Sequence, residues 1–227
     1  MCLSAPVSLT AAAVLIPLGA ATVRRAWRTD RRYVALAALP VLLGVQQLIE
    51  GFIWIEGGRS NMQAVEILSL AYTFFAWIAW PVWIPLAAYF VEPQRRRPAY
   101  LIFIIVGAML GSIQWLPYLA HAGWLKVSFL EYAVRYSDQQ LLDVIVGRPL
   151  TYAVYSGLVT VPMLLSSDHR LRIFGGLIAL VLVVTLVFFQ WAYISVFCFG
   201  GAIASLYLAW MMWRKPARPA VEASATH

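Results

Sequence analysis

The sequence predicts an all-α fold: a polytopic bundle of seven transmembrane helices, N-terminus outside, C-terminus cytoplasmic, with an outer loop as a lid. Three observations predict it. Of 227 residues, 62% are hydrophobic and 12% charged, with a mean hydropathy of +0.77; a soluble domain carries roughly 45–50% apolar and about 25% charged residues. The apolar residues fall in seven stretches, and the basic residues sort to alternate connections between them. A disordered chain, a soluble enzyme and a disulfide-rich secreted module are excluded.

A spanning helix takes about 20 mostly apolar residues, because the hydrocarbon layer is about 30 Å thick. The first stretch, 6–23, has no positive residue before it and five arginines after it, so no cleavable signal peptide is expected. Cys2 precedes that run, whereas a lipoprotein signal places its cysteine after it. The second and third stretches are 33–55 and 63–91; Trp77, Trp80 and Trp83, interleaved with Pro81 and Pro85, mark the third as bent and aromatic. The fourth is 100–119. The fifth, 150–165, is short and must stand nearly upright or lean on its neighbours. Residues 171–213 are too long for one span, and Gln190-Trp191-Ala192-Tyr193 is the polar, aromatic place to turn, giving 171–189 and 191–213. The bundle is expected to occupy 1–213, and the small polar residues with Pro216 and Pro219 read as a disordered cytoplasmic tail over 214–227.

Orientation follows from the lysines and arginines, which concentrate in cytoplasmic loops. Arg24, Arg25, Arg28, Arg31, Arg32, Arg95, Arg96, Arg97, Arg170, Arg172, Arg214, Lys215 and Arg218 fall on one side, thirteen of the seventeen; Arg59, Lys126, Arg135 and Arg148 fall on the other. This sorting needs an odd number of crossings. It also explains the net charge of +7 without nucleic acid, leaving the lipid bilayer as the partner and the cell inner (cytoplasmic) membrane as the location. Self-association is compatible with the sequence.

Polar side chains inside a membrane are costly, so their placement is informative. Gln46, Gln47, Glu50 and Trp54 fall in the outer half of the second helix; Glu66, Ser69 and Tyr72 open the third; Gln114 and Trp115 lie near the outer end of the fourth. Tyr152, Tyr155 and Ser156 begin the fifth, Gln190 sits at the outer turn, and Cys198 is about two turns into the seventh. Residues 14–21, 34–43, 76–86, 101–109 and 173–184 contain no ionisable residue and no carboxamide. The expectation is an outward cup of polar groups on a dry apolar floor, binding a small ligand through Gln46, Gln47, Glu50, Trp54, Glu66, Gln114, Tyr152, Tyr155, Gln190 and Cys198. A transport path would need polar groups through the whole thickness.

Glu50 is the sharpest residue. It shares a helix face with Gln46 and Trp54, one turn away on either side. A carboxylate there is protonated, paired or metal-bound, and reads equally as a ligand contact or proton acceptor and as a polar clasp to Gln114, a tyrosine or the backbone. Removal of Met1 would give Cys2 a free amine beside its thiol, a chelate for soft or borderline metals. Cys2, Glu50 and His121 could then hold a transition metal, zinc or copper; an inert N-terminal cysteine is the simpler alternative. Two cysteines define no disulfide framework. No Gly-rich phosphate loop, G-x-S-x-G elbow or H-E-x-x-H is present, and the seventh helix has no internal lysine for a retinal Schiff base.

In the outer loop, 120–147, Val127 and Phe129 alternate with Lys126 and Ser128, predicting an extended segment that continues toward Tyr136. Ser137-Asp138-Gln139-Gln140 ahead of Leu141, Leu142 and Ile145 predicts a short amphipathic helix. Such a loop is either a lid or a simple cover for helix ends.

The opening Met1-Cys2-Leu3-Ser4-Ala5, with Gln46-Gln47-Leu48-Ile49-Glu50-Gly51 and Trp54, resembles a family of small, uncharacterised bacterial multi-pass membrane proteins that begin Met-Cys-Phe-Ser-Ala. Leu3 departs from the usual Phe. The resemblance implies that Cys2, Ser4, Gln47 and Glu50 belong together and brings no activity. Three functions stand: a binding or sensing protein holding a metal ion or small ligand, an intramembrane metal-dependent enzyme with Glu50 as acid–base, and a transporter or accessory subunit.

Overall fold

The computed structural model describes residues 4–121, 123–138, 147–189 and 192–214. Helix α1 (Ala5–Thr29) carries Pro6 in its first turn, where the missing N–H has no intrahelical use, and ends at extended Asp30. The Asp30 carboxylate accepts the Arg32 N–H and opens a 3-10 turn, Arg31–Tyr33. This runs through α2 (Val34–Ala37) into α3 (Leu39–Gly58), again with a proline, Pro40, in the first turn. Asn61 caps α4 (Met62–Phe74), accepting the Ala64 N–H.

Between α4 and α5 (Trp80–Val91) the helix widens into a π-helical segment, Phe75–Ala79. Pro81 has no N–H, so the preceding turn cannot complete its ladder. The Trp80 N–H reaches back five residues to the Phe75 carbonyl. The Ala76 carbonyl, whose five-residue partner would be Pro81, accepts the Tyr155 hydroxyl instead, at 2.8 Å. The bend expected from the Trp-Pro alternation is thus a π-segment with a side-chain repair.

Helix α6 (Arg97–Ala120) is followed by an antiparallel hairpin, β1 (Leu125–Leu130) and β2 (Ala133–Asp138), in the register Leu125↔Asp138 to Leu130↔Ala133. The extended stretch expected to reach Tyr136 is therefore two strands broken at Glu131-Tyr132. Then come α7 (Arg148–Leu164), α8 (His169–Phe188), capped by Asp168, and α9 (Tyr193–Arg214). The expected amphipathic helix and the tail from Lys215 onward lie outside the described residues.

Among the described residues six helices are long and apolar enough to cross a membrane: Ala5–Thr29, Arg31–Gly58, Met62–Val91, Gln94–Ala120, His169–Phe188 and Tyr193–Arg214. The remaining expected span, the fifth (150–165), is α7, whose 17 residues rise only about 25 Å against a layer of roughly 30 Å. By length and composition the count is six, with α7 packed against α5 and α8 in the same bundle.

The helix ends gather into two groups. At one, Tyr33 donates to Asp168, the Ser166 hydroxyl and the Ser167 N–H both donate to buried Glu92, and Arg25 donates to the carbonyls of Met212 and Trp213. At the other, Tyr136 stacks on Tyr72 at 4.9 Å, Phe129 packs on Trp54 at 5.6 Å, and Ala133 meets Ala192 and Val196. The hairpin thus lies on the end opposite Arg25, Glu92 and Asp168. α1 and α3 pack along their length with glycines at the contact: Gly19 lies against Val41, Gly44 against Ile16 and Gly51 against Leu9. Such close approach suits helices in lipid, where tight packing replaces the hydrophobic drive.

Candidate functional site

The polar residues of α3 meet α9 as an antiparallel ladder. One rung is Gln46 with Cys198: the Gln46 carboxamide N–H₂ donates to the Cys198 sulfur at 3.2 Å, while the Trp80 indole donates to the Gln46 oxygen at 3.1 Å. One turn along α3 and one turn back along α9 stands the second rung, where the Ser195 hydroxyl donates to Glu50 Oε1 at 2.7 Å. The Gln47 carboxamide donates to Glu50 Oε2 at 3.5 Å. Gln46, Gln47, Glu50 and Ser195 are all fully buried. The spacing explains the pairing: residues 46 and 50 share a face of one helix, and 195 and 198 share a face of its antiparallel neighbour.

The same α9 face borders a chamber with about 30 Å³ of free space, walled by the π-segment, α7 and α8. Trp77, Tyr152, Tyr155, Tyr193 and Phe197 supply aromatic surface, and Thr185 and Cys198 supply polar atoms. Trp77 meets Tyr155 edge-on at 5.4 Å, and Tyr152 meets Tyr193 at 4.9 Å. The Trp77 indole N–H and the Thr185 hydroxyl, on residues 2% and 1% exposed, have no hydrogen-bond partner among the described residues. Buried polar groups are normally paired, because leaving one unpaired costs about 1–3 kcal/mol. Toward the arginine end a second void, about 30 Å³, has Leu39, Leu43, Ile84, Phe174 and Ile178 in its wall. Deeper hydroxyls such as Thr22 and Ser205 bond back to their own helices.

The expected site residues divide. Gln46, Gln47, Glu50 and Cys198 come together in the ladder; Tyr152, Tyr155 and Cys198 come together at the chamber. Gln114 is buried at 1% exposure but bonds neither to Glu50 nor to any described residue. Glu50 is clasped by Ser195 instead. Trp54 is half-buried against Phe129, and its indole N–H has no partner among the described residues. Glu66 is exposed and joins neither group. Gln190 lies outside the described residues.

The expected metal centre is not assembled from what is described. His121 ends α6, exposed, and stacks on Trp124 at 4.4 Å, while Glu50 is committed to the ladder. Among the described residues no group of three His, Cys, Asp or Glu stands close enough to hold an ion. Cys2 lies outside them, so the expected grouping of Cys2 with Ser4, Gln47 and Glu50 reduces here to the Gln47–Glu50 hydrogen bond.

Sequence reasoning missed Ser195 and Thr185. Ser195 carried a usable signal, three residues from Cys198 on the same helix face. Trp77 was visible as one of an aromatic series, though its unpaired N–H was not. Thr185 carried none, being one hydroxyl in an apolar run.

No curated protein and no solved structure matches the chain. One family model does, over residues 1–224. The chain belongs to that family, DUF6629, a family of unknown function.

Proposed function

We propose that the chain is a seven-span protein of the bacterial inner membrane, N-terminus outward, which binds a small, mostly apolar molecule bearing a hydrogen-bond acceptor in the aromatic chamber of its outward half. One observation carries the ligand: the Trp77 N–H and Thr185 hydroxyl stand buried and unpartnered in the wall of the chamber. Aromatic groups with a few placed polar atoms are the usual lining of a small-molecule site; the free space here is about 30 Å³, so the ligand enters as the wall side chains give way. A π-helical segment carries Trp77 into that wall, and such segments recur at functional sites. The hairpin covers the end nearest the chamber and serves as the lid.

A small organic ligand is favoured over a metal because the described wall offers one thiol and no carboxylate or imidazole. Glu50 is absent from that wall, so acid–base catalysis there gains no support. The apolar void below argues against a transport path.

Two experiments test the proposal. The organic extract of purified protein, analysed by mass spectrometry, should contain one molecule in stoichiometric amount. Trp77→Phe and Thr185→Val should each weaken its retention about tenfold, the worth of a 1.4 kcal/mol hydrogen bond. An empty wild type whose melting temperature rises in both variants would make the chamber a packing void. For topology, a fluorescent protein fused after Arg214 should mature in the cytoplasm, and a periplasm-dependent phosphatase inserted at Glu131-Tyr132 should be active. Hairpin and C-terminus on the same side would mean that α7 does not cross.

A further inference from the structure

The arginine end of α1 carries charge that the protein does not use. Of the five arginines between residues 24 and 32, Arg32 is bridged to Asp30 at 3.0 Å. Arg25 donates to the Met212 and Trp213 carbonyls and lies over the Trp213 ring. Arg31 covers the Trp27 ring at 4.7 Å. Arg24 and Arg28 are exposed and have neither ion pair nor hydrogen bond among the described residues. They stand four residues apart, on one face of the helix.

Both line the mouth of a groove between α1, the start of α3 and α5. Its walls are Ala20, Val23 and Trp27 on one side and Ala38, Val41 and Leu42 on the other, closed by Trp83. The Trp83 indole N–H is spent on the Ala35 carbonyl at 2.9 Å. From Thr29 back to Ala20 the helix descends about 13 Å, so the groove runs from the charged end well into hydrocarbon depth.

We infer that this groove binds one anionic glycerophospholipid, its phosphate held between Arg24 and Arg28 and an acyl chain lying along the apolar walls. Guanidinium groups pair with phosphate oxygens through a fixed fork of donors, and uncommitted ones at a membrane surface are where such pairing is most favourable. A soluble phosphate would satisfy the arginines but leave the groove uncovered. A zwitterionic lipid would cover the groove but bring its own cation to the arginines. The inference uses the membrane-crossing helices and not their orientation, and it concerns the end away from the ligand chamber.

The test is native mass spectrometry of the purified full chain with dioleoyl phosphatidylglycerol and dioleoyl phosphatidylcholine in equal amounts, and separately with glycerol 3-phosphate. Wild type is expected to retain one phosphatidylglycerol in preference to phosphatidylcholine and no glycerol phosphate. Arg24→Gln/Arg28→Gln should lower that preference about 30-fold with the melting temperature unchanged. Arg95→Gln/Arg172→Gln removes the same charge at the same end, from exposed residues outside the groove, and should leave the preference intact. Equal losses in the two double variants would reduce the effect to diffuse surface charge and overturn the site. No preference in wild type would also overturn it, and retention of glycerol phosphate would overturn the lipid.

Discussion

Tyr155 donates its hydroxyl across the bundle to a carbonyl whose partner in the π-helical register is a proline, so deleting that one oxygen tests the turn that shapes the chamber. The bond to the Ala76 oxygen is 2.8 Å long. Tyr155→Phe keeps the ring and its edge-on contact with Trp77 and removes only the donor. Hydrogen bonds between transmembrane helices average about 0.6 kcal/mol and reach about 1.7, because a broken bond usually finds a substitute. Here the substitute in the π-helical register is missing, because Pro81 occupies the position whose N–H would serve, and the Trp80 N–H is held by Phe75. The expected cost therefore lies toward the top of that range, about 1.5 kcal/mol.

Pro81→Ala supplies the missing N–H, and by itself should cost under about 1 kcal/mol, mainly through a freer unfolded chain. In that background Tyr155→Phe should cost about 0.5 kcal/mol or less, a coupling of about 1 kcal/mol. Unfolding in mixed micelles titrated with SDS, followed by circular dichroism, measures all four corners of the cycle. If Tyr155→Phe is neutral, or costs the same with Pro81 and with Ala at that position, the π-segment is not held by this bond and the argument fails.

Three further outcomes follow from the same coordinates. Ser195→Ala and Glu50→Gln should each cost about 1 kcal/mol, with the double variant costing less than their sum because both break one rung; ligand retention should not change, and a chamber emptied by Glu50→Gln at unchanged stability would move Glu50 into the ligand site. Gln114→Leu should stabilise by about 1 kcal/mol, since it removes a buried carboxamide without described partners; SDS unfolding that shows a loss would mean the carboxamide is engaged. Gly19→Ala should cost about 1–3 kcal/mol, because its new methyl would lie 2.5 Å from the Val41 nitrogen, whereas Gly176→Ala, facing open space, should gain up to about 1 kcal/mol by helix propensity. Equal effects of the two glycine substitutions would refute the α1–α3 contact.

What could be read from the sequence was whatever depends on one residue's own chemistry. Apolar runs must leave water, so the helix limits were legible; the structure joins Tyr33 to Asp168 and Glu92 to Ser166 at one group of helix ends. The π-segment was half legible: Pro81 announces a broken ladder, but whether the helix kinks or widens depends on Tyr155, seventy-four residues away. Pairing was not legible. Gln46, Glu50 and Gln114 look alike in a hydropathy profile, and only the rotation of α3 against α9 and of α6 against α5 decides which of them finds a partner. Gly107 and Gly111 set that second rotation by bringing α6 onto the Pro81 and Trp77 carbonyls, and it leaves Gln114 buried beside them.

That distinction sorts the polar interior by purpose. A group whose donors and acceptors are met by its own chain contributes to one fold, and replacing it changes stability; this describes Gln46 with Trp80 and Cys198, and Glu50 with Ser195. A group buried without a partner is a cost to the fold, and it is repaid only where space beside it admits something else. Trp77 and Thr185 have that space, and Gln114 does not border it. Cys198 belongs to both sets, as it accepts from Gln46 while lining the chamber. A ligand pressing on Cys198 would act directly on the rung joining α9 to α3, whereas one held by Trp77 and Thr185 alone would touch only the π-segment and α8. Stability of Gln46→Leu measured with and without the extracted ligand separates the two: coupling between them places the ligand against the sulfur, and additivity confines it to the aromatic wall.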